Sequence, residues 1–555
     1  MRSAGLATRR LLKAITIVIV LATIWLGGDG PAWAQGSPSP LTGLLVASDA
    51  APGDSFGSGV AISGDTAVVG AAGVKPSGAA YVFERAPGSD TWIETAKLTA
   101  GDIDEFGFSV SIDHDLIVVG AVGGDQGAAY LFGRDQGAAG AWGLIAELTP
   151  TDDSRDRVAA FGVAVSISGE TVVVGASLSR VASLPGAGGV IGPGAAYIFE
   201  KDQTGSGAWT EVARLVGDPC VSSTCLPYDT YYDLFGYSVD ISGETVVVGA
   251  IQPGVEVNYF ATGAAYVFAR DPASSQWAKV TTLDLPQHGW DQADPSRVAI
   301  SGDTAIVSGA GPFGPIGIFE RNHGGGNAWG LVATRTASTD SSHESVHVAI
   351  DGDLAIVTGR KFGSIGSTAL VYSRNGGGPE NWSLLTTVSP SDDPGTLVYG
   401  HRVAIDGDTV LVNGGPSFSG GSAYACRLDV AFEPDSACVL AQVVNSLVSL
   451  SVNSTSCCGD PAAPAFTITA TLTNTSTDRL MNVFIEVTEL TGGNLLRTAD
   501  GMPGGPGATT TVPSLLFRPG DTATVTFEIA LAERGPFTFL VNVRGTPPVS
   551  ALPVP

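Results

Sequence analysis

The stretch Phe-Gly-Ser-Gly-Val-Ala-Ile-Ser-Gly-Asp-Thr-Ala-Val-Val-Gly-Ala, residues 56–71, decides the fold because the chain repeats it. Two runs of Val, Ile and Ala flank a Ser-Gly-Asp turn, a pattern typical of two strands joined by a tight hairpin. Residues 78–83, Gly-Ala-Ala-Tyr-Val-Phe, add a third strand, and residues 92–98 add a fourth that starts at Trp92. The unit therefore predicts a meander of four antiparallel strands.

This unit returns six more times along the chain. Its hairpin acid recurs at intervals of 50 to 74 residues, at Asp65, Asp115, Glu170, Glu244, Asp303, Asp353 and Asp408. Phe-Gly persists in repeats one to four and is lost or altered in repeats five to seven. A single four-stranded sheet cannot cover its own faces, so repeats of this length predict the stacked blades of a β-propeller.

The two ends of the repeated region complement each other. Residues 41–49 copy the fourth strand around Leu98, whereas the seventh unit stops after its third strand at Cys426. We expect the N-terminal strand to complete the last blade, because this hides sheet edges that would otherwise be exposed. Residues 41–427 are therefore predicted to form a closed seven-bladed propeller.

A different all-β domain follows the repeats. Alternating strands are predicted at residues 447–452, 466–474, 481–490, 515–517, 521–531 and 537–545, separated by Gly, Pro and Asn turns. This number of strands favours an immunoglobulin-like β-sandwich over residues 443–548, with residues 428–442 as a linker.

The first 34 residues are typical of an export signal. A basic start at Arg2, Arg9, Arg10 and Lys13 precedes an apolar run, and Ala32-Trp33-Ala34 offers a cleavage site. Arg9-Arg10 partly matches a twin-arginine signal, ordinary Sec export is an equal alternative, and an uncleaved anchor stays open. The expected location is secreted, periplasmic or cell-surface, with no membrane insertion after cleavage.

Charge and composition exclude several classes of protein. The chain carries 54 Asp and Glu against 28 Lys and Arg, a net charge of −26. Such a surface repels phosphate backbones and anionic lipid, which argues against nucleic-acid partners. With 44% hydrophobic residues, the chain is too apolar for a disordered polymer, and its 74 Gly and 33 Pro do not suit a helical protein.

Phe-Gly followed about fourteen residues later by Gly-Ala resembles the FG-GAP repeat of integrin alpha chains and of many exported bacterial proteins. The resemblance implies a propeller that binds a protein or a glycan outside the cell. Integrin-type blades often hold calcium in an Asp-x-Asp-x-Asp-Gly hairpin. Here the hairpin at residues 63–66 is too short and too poor in oxygen ligands, so no metal or cofactor is expected.

Two sequences match catalytic motifs. His343-Glu344-Ser345-Val346-His347 fits His-Glu-x-x-His, but its place in the repeat predicts a blade entry and first strand, where the two histidines would not share a helical face. Gly53-Asp54-Ser55-Phe56-Gly57 fits Gly-x-Ser-x-Gly, yet no helix is expected after it. We therefore predict no catalytic residue.

The six cysteines suit an oxidising compartment. The most economical disulfides join Cys220 to Cys225 and Cys426 to Cys438, and the adjacent Cys457 and Cys458 leave the full pairing open.

Insertions favour one face of the propeller as the binding surface. The long loops at residues 178–193, 218–233 and 251–262 all belong to the connections of one face, around blades three and four. They carry exposed aromatic candidates for contact with a protein or a sugar, Tyr228, Tyr231, Tyr232, Tyr259 and Phe260. A polysaccharide hydrolase or lyase using Asp229, Asp233 and Glu256, or a structural surface protein, are the alternatives to a non-enzymatic binding protein.

Overall fold

The computed structural model describes residues 43–546, except 102–103, 124–126, 152–157, 182–189, 193, 219–233, 253–261, 286–296, 309–314, 324, 337–342, 362–367, 376–380, 391–401, 415–420, 429–437, 441, 444–446, 458–464, 478–479, 500–503, 513–515 and 533–536. The described residues form strands and turns, and none of them lies in a helix. Within this part of the chain, no helix could span a membrane.

The N-terminal strand and the first three sheets occupy the chain as far as Leu215. The N-terminal strand is β1 (Leu44–Leu45), and the first sheet contains β2 (Phe56–Ser63), β3 (Thr66–Ala71), β4 (Ala79–Arg85) and β5 (Trp92–Leu98). The second contains β6 (Phe106–Asp113), β7 (Leu116–Ala121), β8 (Ala128–Gly133) and β9 (Gly143–Leu148). The third contains β10 (Val158–Ser168), β11 (Thr171–Val181), β12 (Val190–Gly192), β13 (Ala195–Lys201) and β14 (Trp209–Leu215).

Four more sheets follow. The fourth contains β15 (Ser238–Ser242), β16 (Thr245–Gln252), β17 (Thr262–Arg270) and β18 (Trp277–Asp284), and the fifth contains β19 (Val298–Ser301), β20 (Thr304–Ser308), β21 (Pro315–Arg321) and β22 (Trp329–Thr336). The sixth contains β23 (His343–Asp351), β24 (Leu354–Lys361), β25 (Thr368–Ser373) and β26 (Ser383–Pro390). The seventh contains β27 (Val403–Asp406), β28 (Thr409–Gly414) and β29 (Ser422–Arg427).

Each sheet is an antiparallel meander in chain order, as expected for propeller blades. The seventh takes its fourth strand from the N-terminus, because β1 pairs with β29 through Leu44 opposite Tyr424 and Leu45 opposite Ala423. This pairing confirms the predicted exchange. The segment predicted as a linker contains another strand, β30 (Cys438–Leu440), which extends the sixth sheet beyond β26.

The first strands of the sheets lie next to one another in a cycle. β2 contacts β6, and the series continues through β10, β15, β19, β23 and β27, which contacts β2 again. Bridges between sheets follow the same order: Gly78 pairs with Phe106, and Gly421 of the seventh sheet pairs with Phe56 of the first.

The Phe-Gly and Gly-Ala pairs are fixed by close packing between neighbouring sheets. A Cβ at Gly70 would lie 1.9 Å from the carbonyl oxygen of Gly107, and Gly107 itself has a left-handed φ of +92°. A larger residue at Gly70 would therefore separate the two sheets. The sequence shows that glycine recurs at these positions, and the contact between Gly70 and Gly107 explains why it is required.

The phenylalanine of each intact Phe-Gly pair packs on the third strand of its own sheet. Phe56 lies 5.6 Å from the Tyr81 ring and 6.0 Å from the Phe83 ring, centroid to centroid. Phe106, Phe161 and Phe235 repeat this arrangement in the next three sheets. These buried aromatic groups supply most of the large side chains between the first sheets.

The C-terminal strands form two further antiparallel sheets. They are β31 (Gln442–Val443), β32 (Val448–Cys457), β33 (Ala465–Asn474), β34 (Leu480–Leu490), β35 (Leu495–Leu496), β36 (Thr509–Thr511), β37 (Leu516–Phe517), β38 (Thr522–Ala530) and β39 (Phe539–Thr546). One sheet has the order β32-β33-β38-β35 and the other β31-β39-β34-β36, with β37 on β34. Their inner faces share one core that includes Phe466, Ile485 and Phe527. All six strands predicted here are present.

Within the described residues the chain divides into two compact units. One comprises residues up to 371 with residues 388–439, and the other comprises residues 372–387 with residues from 440 onward. The domain limits inferred from the sequence stay predictions.

Candidate functional site

The aromatic residues predicted to form the binding face lie outside the described residues. This holds for Tyr228, Tyr231, Tyr232, Tyr259 and Phe260, and also for Cys220, Cys225, Asp229, Asp233 and Glu256. Their role stays a prediction. Two of the insertions that mark this face do continue the sheets: β11 runs on to Val181 and pairs with β12, and β16 pairs with β17 as far as Gln252 opposite Thr262.

The ends of the first strands that enter the short hairpins, away from these insertions, carry a uniform set of hydrogen bonds. In each hairpin the side chain at the end of the first strand accepts a hydrogen bond from a backbone N–H in the next hairpin. The accepting and donating residues are Ser63 with His114, Asp113 with Gly169, Ser168 with Gly243, Ser242 with Gly302, Ser301 with Gly352, Asp351 with Gly407, and Asp406 with Gly64. The last pair returns to the first sheet. The hairpin side is therefore fixed by short, equivalent links.

Most of the periodic hairpin acids pair with an arginine, whereas Glu170 pairs with Lys201. Arg134 lies with its Nε 2.9 Å from Asp115, donates to Thr66 of the preceding sheet at 2.9 Å, and stacks over Trp142 at 4.8 Å. Arg85 repeats this with Asp65, Thr409 and Trp92, and Arg321 repeats it with Asp303, Thr245 and Trp329. The recurring acid and the recurring tryptophan thus belong to one arginine clamp between sheets. Among the described residues, no group of His, Cys, Asp or Glu is arranged to hold a metal ion.

At the other end of the first strands, basic and aromatic side chains from several sheets meet. The Nη1 of Arg402 lies 3.0 Å from His347 Nε2, and its Nε donates to the carbonyl oxygen of Ser58 at 2.8 Å. The guanidinium lies 5.8 Å from the centre of the Phe108 ring. Sheets seven, six, one and two all contribute to this cluster.

A second arginine joins the cluster from the fifth sheet. Arg297 stacks over the Tyr237 ring at 4.2 Å and donates to the Tyr237 hydroxyl at 3.0 Å. Burial, and after it the like charge of Arg297, lowers the pKa of Arg402 to about 9, while Tyr237 acts in the opposite direction. Two guanidinium groups are therefore close enough to repel each other. We call Phe108, Tyr237, Arg297, His347 and Arg402 the basic cluster.

Polar residues support the arginines of the basic cluster. Where repeats one to four have the Gly of Gly-Ala, repeats five to seven have Ser308, Thr358 and Asn413. The Oγ of Ser308 accepts from the backbone N–H of Arg297 at 3.1 Å, and the Oδ1 of Asn413 accepts from that of Arg402 at 2.8 Å. The sequence analysis, which recorded only the loss of Phe-Gly in these repeats, therefore missed these polar residues.

Asp240 is a buried carboxylate between sheets three, four and five. Its Oδ1 accepts from Ser166 Oγ at 2.7 Å and from the Ile241 N–H at 3.0 Å, and its Oδ2 accepts from the Ile300 N–H at 2.7 Å. Burial raises the pKa of Asp240 to about 6, against the opposing effect of these hydrogen bonds. The group joins three sheets, which is a structural role.

The two motifs that resemble catalytic sites do not have the required local structure. Residues 343–347 start strand β23, with His343 opposite Lys361, and His347 belongs to the basic cluster. Ser55 precedes β2 in a left-handed conformation with φ of 56°, and Glu105, Ala160 and Leu234 take similar values before the next Phe-Gly pairs. Both sequence interpretations are confirmed: a strand at the first motif and an ordinary sheet-entry loop at the second.

Two of the predicted disulfide cysteines lie on described strands. Cys426 is buried in β29 of the seventh sheet, and Cys438 begins β30 at the edge of the sixth. Their pairing, like that of Cys457 and Cys458, stays a prediction.

Comparisons with known proteins give a family for the repeats. No curated protein sequence matches the chain. Among solved structures, Sqt1 of Saccharomyces cerevisiae is similar with a TM-score of 0.37 and 10% identity, covering 86% of this chain and 100% of its own. The periplasmic gluconolactonase PpgL of Pseudomonas aeruginosa is similar with a TM-score of 0.38 and 12% identity, covering 59% of this chain and 83% of its own. A protein from Lactobacillus plantarum has a TM-score of 0.39 and 13% identity, covering 62% and 86%.

The model of the FG-GAP repeat matches residues 42–83, 92–132, 142–199 and 230–268. These segments cover nearly all of the first three strands of each of the first four sheets, and each segment contains one intact Phe-Gly pair. Residues 42–268 of the chain therefore carry FG-GAP repeats.

Proposed function

We propose that the protein is an exported, non-enzymatic binding protein. In this proposal the seven sheets are the blades of one closed propeller, and the C-terminal unit is an immunoglobulin-like sandwich that acts as a spacer or a second docking module. The ligand is an extracellular protein or glycan. Export rests on the basic and apolar pattern of residues 1–34, and the absence of a membrane or nucleic-acid partner rests on the net charge of −26.

The difference between the two ends of the first strands is the observation that carries the proposal. The hairpin end has short turns linked by equivalent hydrogen bonds, as between Ser63 and His114, and offers little variation for recognition. The opposite end receives the long insertions at residues 218–233 and 251–262 and also contains the basic cluster. Binding residues are commonly carried on variable loops held by a rigid scaffold. This end therefore suits ligand contact.

We do not expect the hairpin acids to bind calcium, as the hairpin acids of integrin-type blades often do. Asp115 and Asp303 each form an ion pair with an arginine of their own sheet, at 2.9 Å. An arginine beside the carboxylate disfavours a calcium ion there, because the two cations compete for the same oxygens. The proposal therefore includes no metal and no other cofactor.

An array of extracellular glycans and cell-surface proteins, probed with residues 35–555, tests this function. We expect a ligand whose binding is lost when Tyr228, Tyr231 and Tyr232 are changed together to Ala. His114→Ala, on the hairpin side with a side chain that is 88% exposed, serves as the matched control and should bind normally. Loss of binding in the control but not in the tyrosine variant would place recognition on the hairpin side and overturn the proposal.

A further inference from the structure

The seventh sheet is completed by a very short strand. Within the described residues β1 has two residues, whereas β5, the fourth strand of the first sheet, has seven. β1 pairs with β29 at Leu44 and Leu45, and the N–H of Ala425 donates to the carbonyl oxygen of Gly43 at 2.7 Å. The strand that completes the seventh sheet therefore makes fewer backbone contacts than its counterpart in the first sheet.

The repeat is also altered where the sixth and seventh sheets meet. The second, third and fourth sheets each receive a bridge from the preceding sheet at the phenylalanine of Phe-Gly, as Gly78 pairs with Phe106. At that place the seventh repeat has Tyr399-Gly400, and the first residue of its Gly-Ala pair is Asn413. An additional link between the sixth and seventh sheets would compensate for these changes.

Cys426 lies on the strand that receives β1. It directly follows Ala425 on β29, is opposite Val410 of β28, and is 1% exposed. It is part of a disulfide, and none of the cysteines in the described part of the chain is a free thiol. The third strand of the seventh sheet is therefore cross-linked to another segment of the chain.

The fold favours Cys438 as the partner of Cys426. Cys438 begins β30, which extends the sixth sheet beyond β26, and the sixth sheet is a neighbour of the seventh because β23 contacts β27. Both cysteines belong to the same compact unit, whereas Cys457 belongs to the other. Cys220 and Cys225 lie close together in the connection between the third and fourth sheets. Cys438 is therefore the cysteine that can join the seventh sheet to its neighbour.

From these observations we infer that a disulfide between Cys426 and Cys438 cross-links the seventh sheet to the edge of the sixth and supports the closure made by β1. The cross-link fixes β29 covalently at one end of the short pairing with β1. Opening of that pairing then requires β29 to move while it is tied to β30, which restricts the open state.

Formation of this cross-link is an oxidation of two thiols. The two sulfurs lose two protons and two electrons and form one S–S bond, while the disulfide of a thiol oxidant is cleaved and takes up the electrons and protons as two thiols. Such a bond persists in an oxidising compartment. The inference therefore rests on the exported location in the proposed function, and it does not depend on the identity of the ligand.

Alkylation of thiols in residues 35–555, unfolded without a reductant, tests the pairing by mass mapping of the modified peptides. We expect Cys426 to be unmodified in the wild type and modified in Cys438→Ser, because the substitution removes its partner. Cys457→Ser serves as the matched control and should leave Cys426 unmodified. Modification of Cys426 in the wild type, or its protection in Cys438→Ser, would overturn the inference.

If Cys438→Ser does not fold, the wild type still tests the pairing. Chymotrypsin can cleave after Leu440, which separates Cys438 from Cys457. A non-reduced digest should then contain one linked pair of peptides with Cys426 and Cys438. A peptide that links Cys426 to any other cysteine would contradict the pairing.

Hydrogen exchange tests the effect on closure. Reduction of the folded protein should speed exchange of the Ala425 amide by about ten-fold or more, because that amide bonds to the segment of β1. Leu131 lies on β8, the third strand of the second sheet, and its amide should exchange at an unchanged rate. An equal change at both amides, or no change at Ala425, would show that the cross-link does not support this closure.

These measurements need no ligand, so they are independent of the array. A modified Cys426 in the wild type, together with array binding that depends on the tyrosines, would remove the inference and leave the proposed function standing. A linked Cys426 and Cys438 without any array binding would have the opposite meaning.

Discussion

A carboxylate oxygen of Asp406 accepts a hydrogen bond from the backbone N–H of Gly64, although the two residues are 342 positions apart in the chain. The contact repeats the link between Ser63 and His114 one sheet further on, but it joins the last sheet to the first. The N-terminal strand pairs with the seventh sheet through Leu45 opposite Ala423. Arg85 of the first sheet donates a hydrogen bond to Thr409 of the seventh. The ends of the repeated region are thus joined by the same contacts that join its interior.

The segment after β1 continues this arrangement. Ser48 donates to Glu94 through its backbone N–H at 2.7 Å and through its hydroxyl at 2.9 Å, as Thr151 does to Glu211 two sheets later. Asp49 accepts from Tyr81 at 2.7 Å and pairs with Lys97 at 2.5 Å. The N-terminal segment therefore has the contacts of any other connection between sheets.

The N-terminal strand should contribute strongly to stability. Leu45 is 1% exposed and packs between the seventh and first sheets, whereas its neighbour Val46 is 45% exposed. Leu45→Ala should lower the free energy of unfolding by about 2–5 kcal/mol, because it leaves a cavity, and Val46→Ala should cost less than about 0.5 kcal/mol. Urea unfolding of both variants makes the comparison. Equal effects would mean that β1 does not close the seventh sheet.

Gly70 should not tolerate even a methyl group. Its Cβ would lie 1.9 Å from the Gly107 carbonyl oxygen, a backbone atom that cannot move without separating the sheets. Gly70→Ala is therefore expected to destabilise the protein by about 3 kcal/mol or more. Gly326→Ala has open space around it and should be close to neutral when both are compared by thermal unfolding. A stable Gly70→Ala variant would contradict the tight packing of the two sheets.

The arginine clamp should matter more than its surface position suggests. Arg134 contacts Glu84, Asp115 and Thr66 and covers Trp142. Arg134→Ala should cost about 1–3 kcal/mol in the free energy of unfolding, through lost packing and hydrogen bonds. Lys201 is the control, because it makes a single exposed pair with Glu170, and Lys201→Ala should cost at most about 0.5 kcal/mol. Similar values for the two variants would show that the clamp adds nothing to the pair.

Calcium should have no influence on stability. Hairpin acids that could have bound the ion are paired with basic side chains, as Asp303 is with Arg321 and Glu170 is with Lys201. Addition of a calcium chelator to residues 35–555 is expected to leave the thermal midpoint unchanged, and metal analysis of the purified protein should detect no bound calcium. A fall of several degrees on chelation would show that a calcium ion does bind.

Asp240 should make the folded protein less stable as the pH rises from 4 to 7. Its pKa is about 6 in the folded protein against the ordinary value of 3.8. Between these values the folded state holds a proton that the unfolded state has lost, so the stability contributed by Asp240 falls as the pH rises. Relative to Asp240→Asn, the wild type should lose up to about 3 kcal/mol between pH 4 and pH 7.

Asp271 supplies a control for this measurement. The backbone N–H groups of Ser274 and Ala273 lower its pKa, so its contribution to stability is complete above the ordinary value of 3.8 and is lost only at lower pH. The difference between wild type and Asp271→Asn should therefore stay nearly constant between pH 4 and pH 7. If the difference between wild type and Asp240→Asn does not vary with pH, the carboxyl of Asp240 is not buried as described.

Periodicity alone determined the unit of the fold. Alternation of Val, Ile and Ala around Ser-Gly-Asp turns is a local property, because strands and hairpins depend on neighbouring residues. The same reasoning found the exchanged strand at Leu44–Leu45 and the strand at residues 343–351, where a motif suggested a helix. It also located each of the six strands expected in the C-terminal region.

Only the tertiary structure gave reasons for the individual residues. Gly70 and Gly107, which belong to neighbouring repeats, are both glycine because their backbones touch, and Asp115 is an acid because it pairs with Arg134, which follows the third strand of its sheet. The sequence analysis did not single out His347 or Arg402, which lie 55 positions apart and whose side chains meet only because their sheets are neighbours. Contacts between sheets depend on how distant segments stack, and a linear pattern does not contain that information.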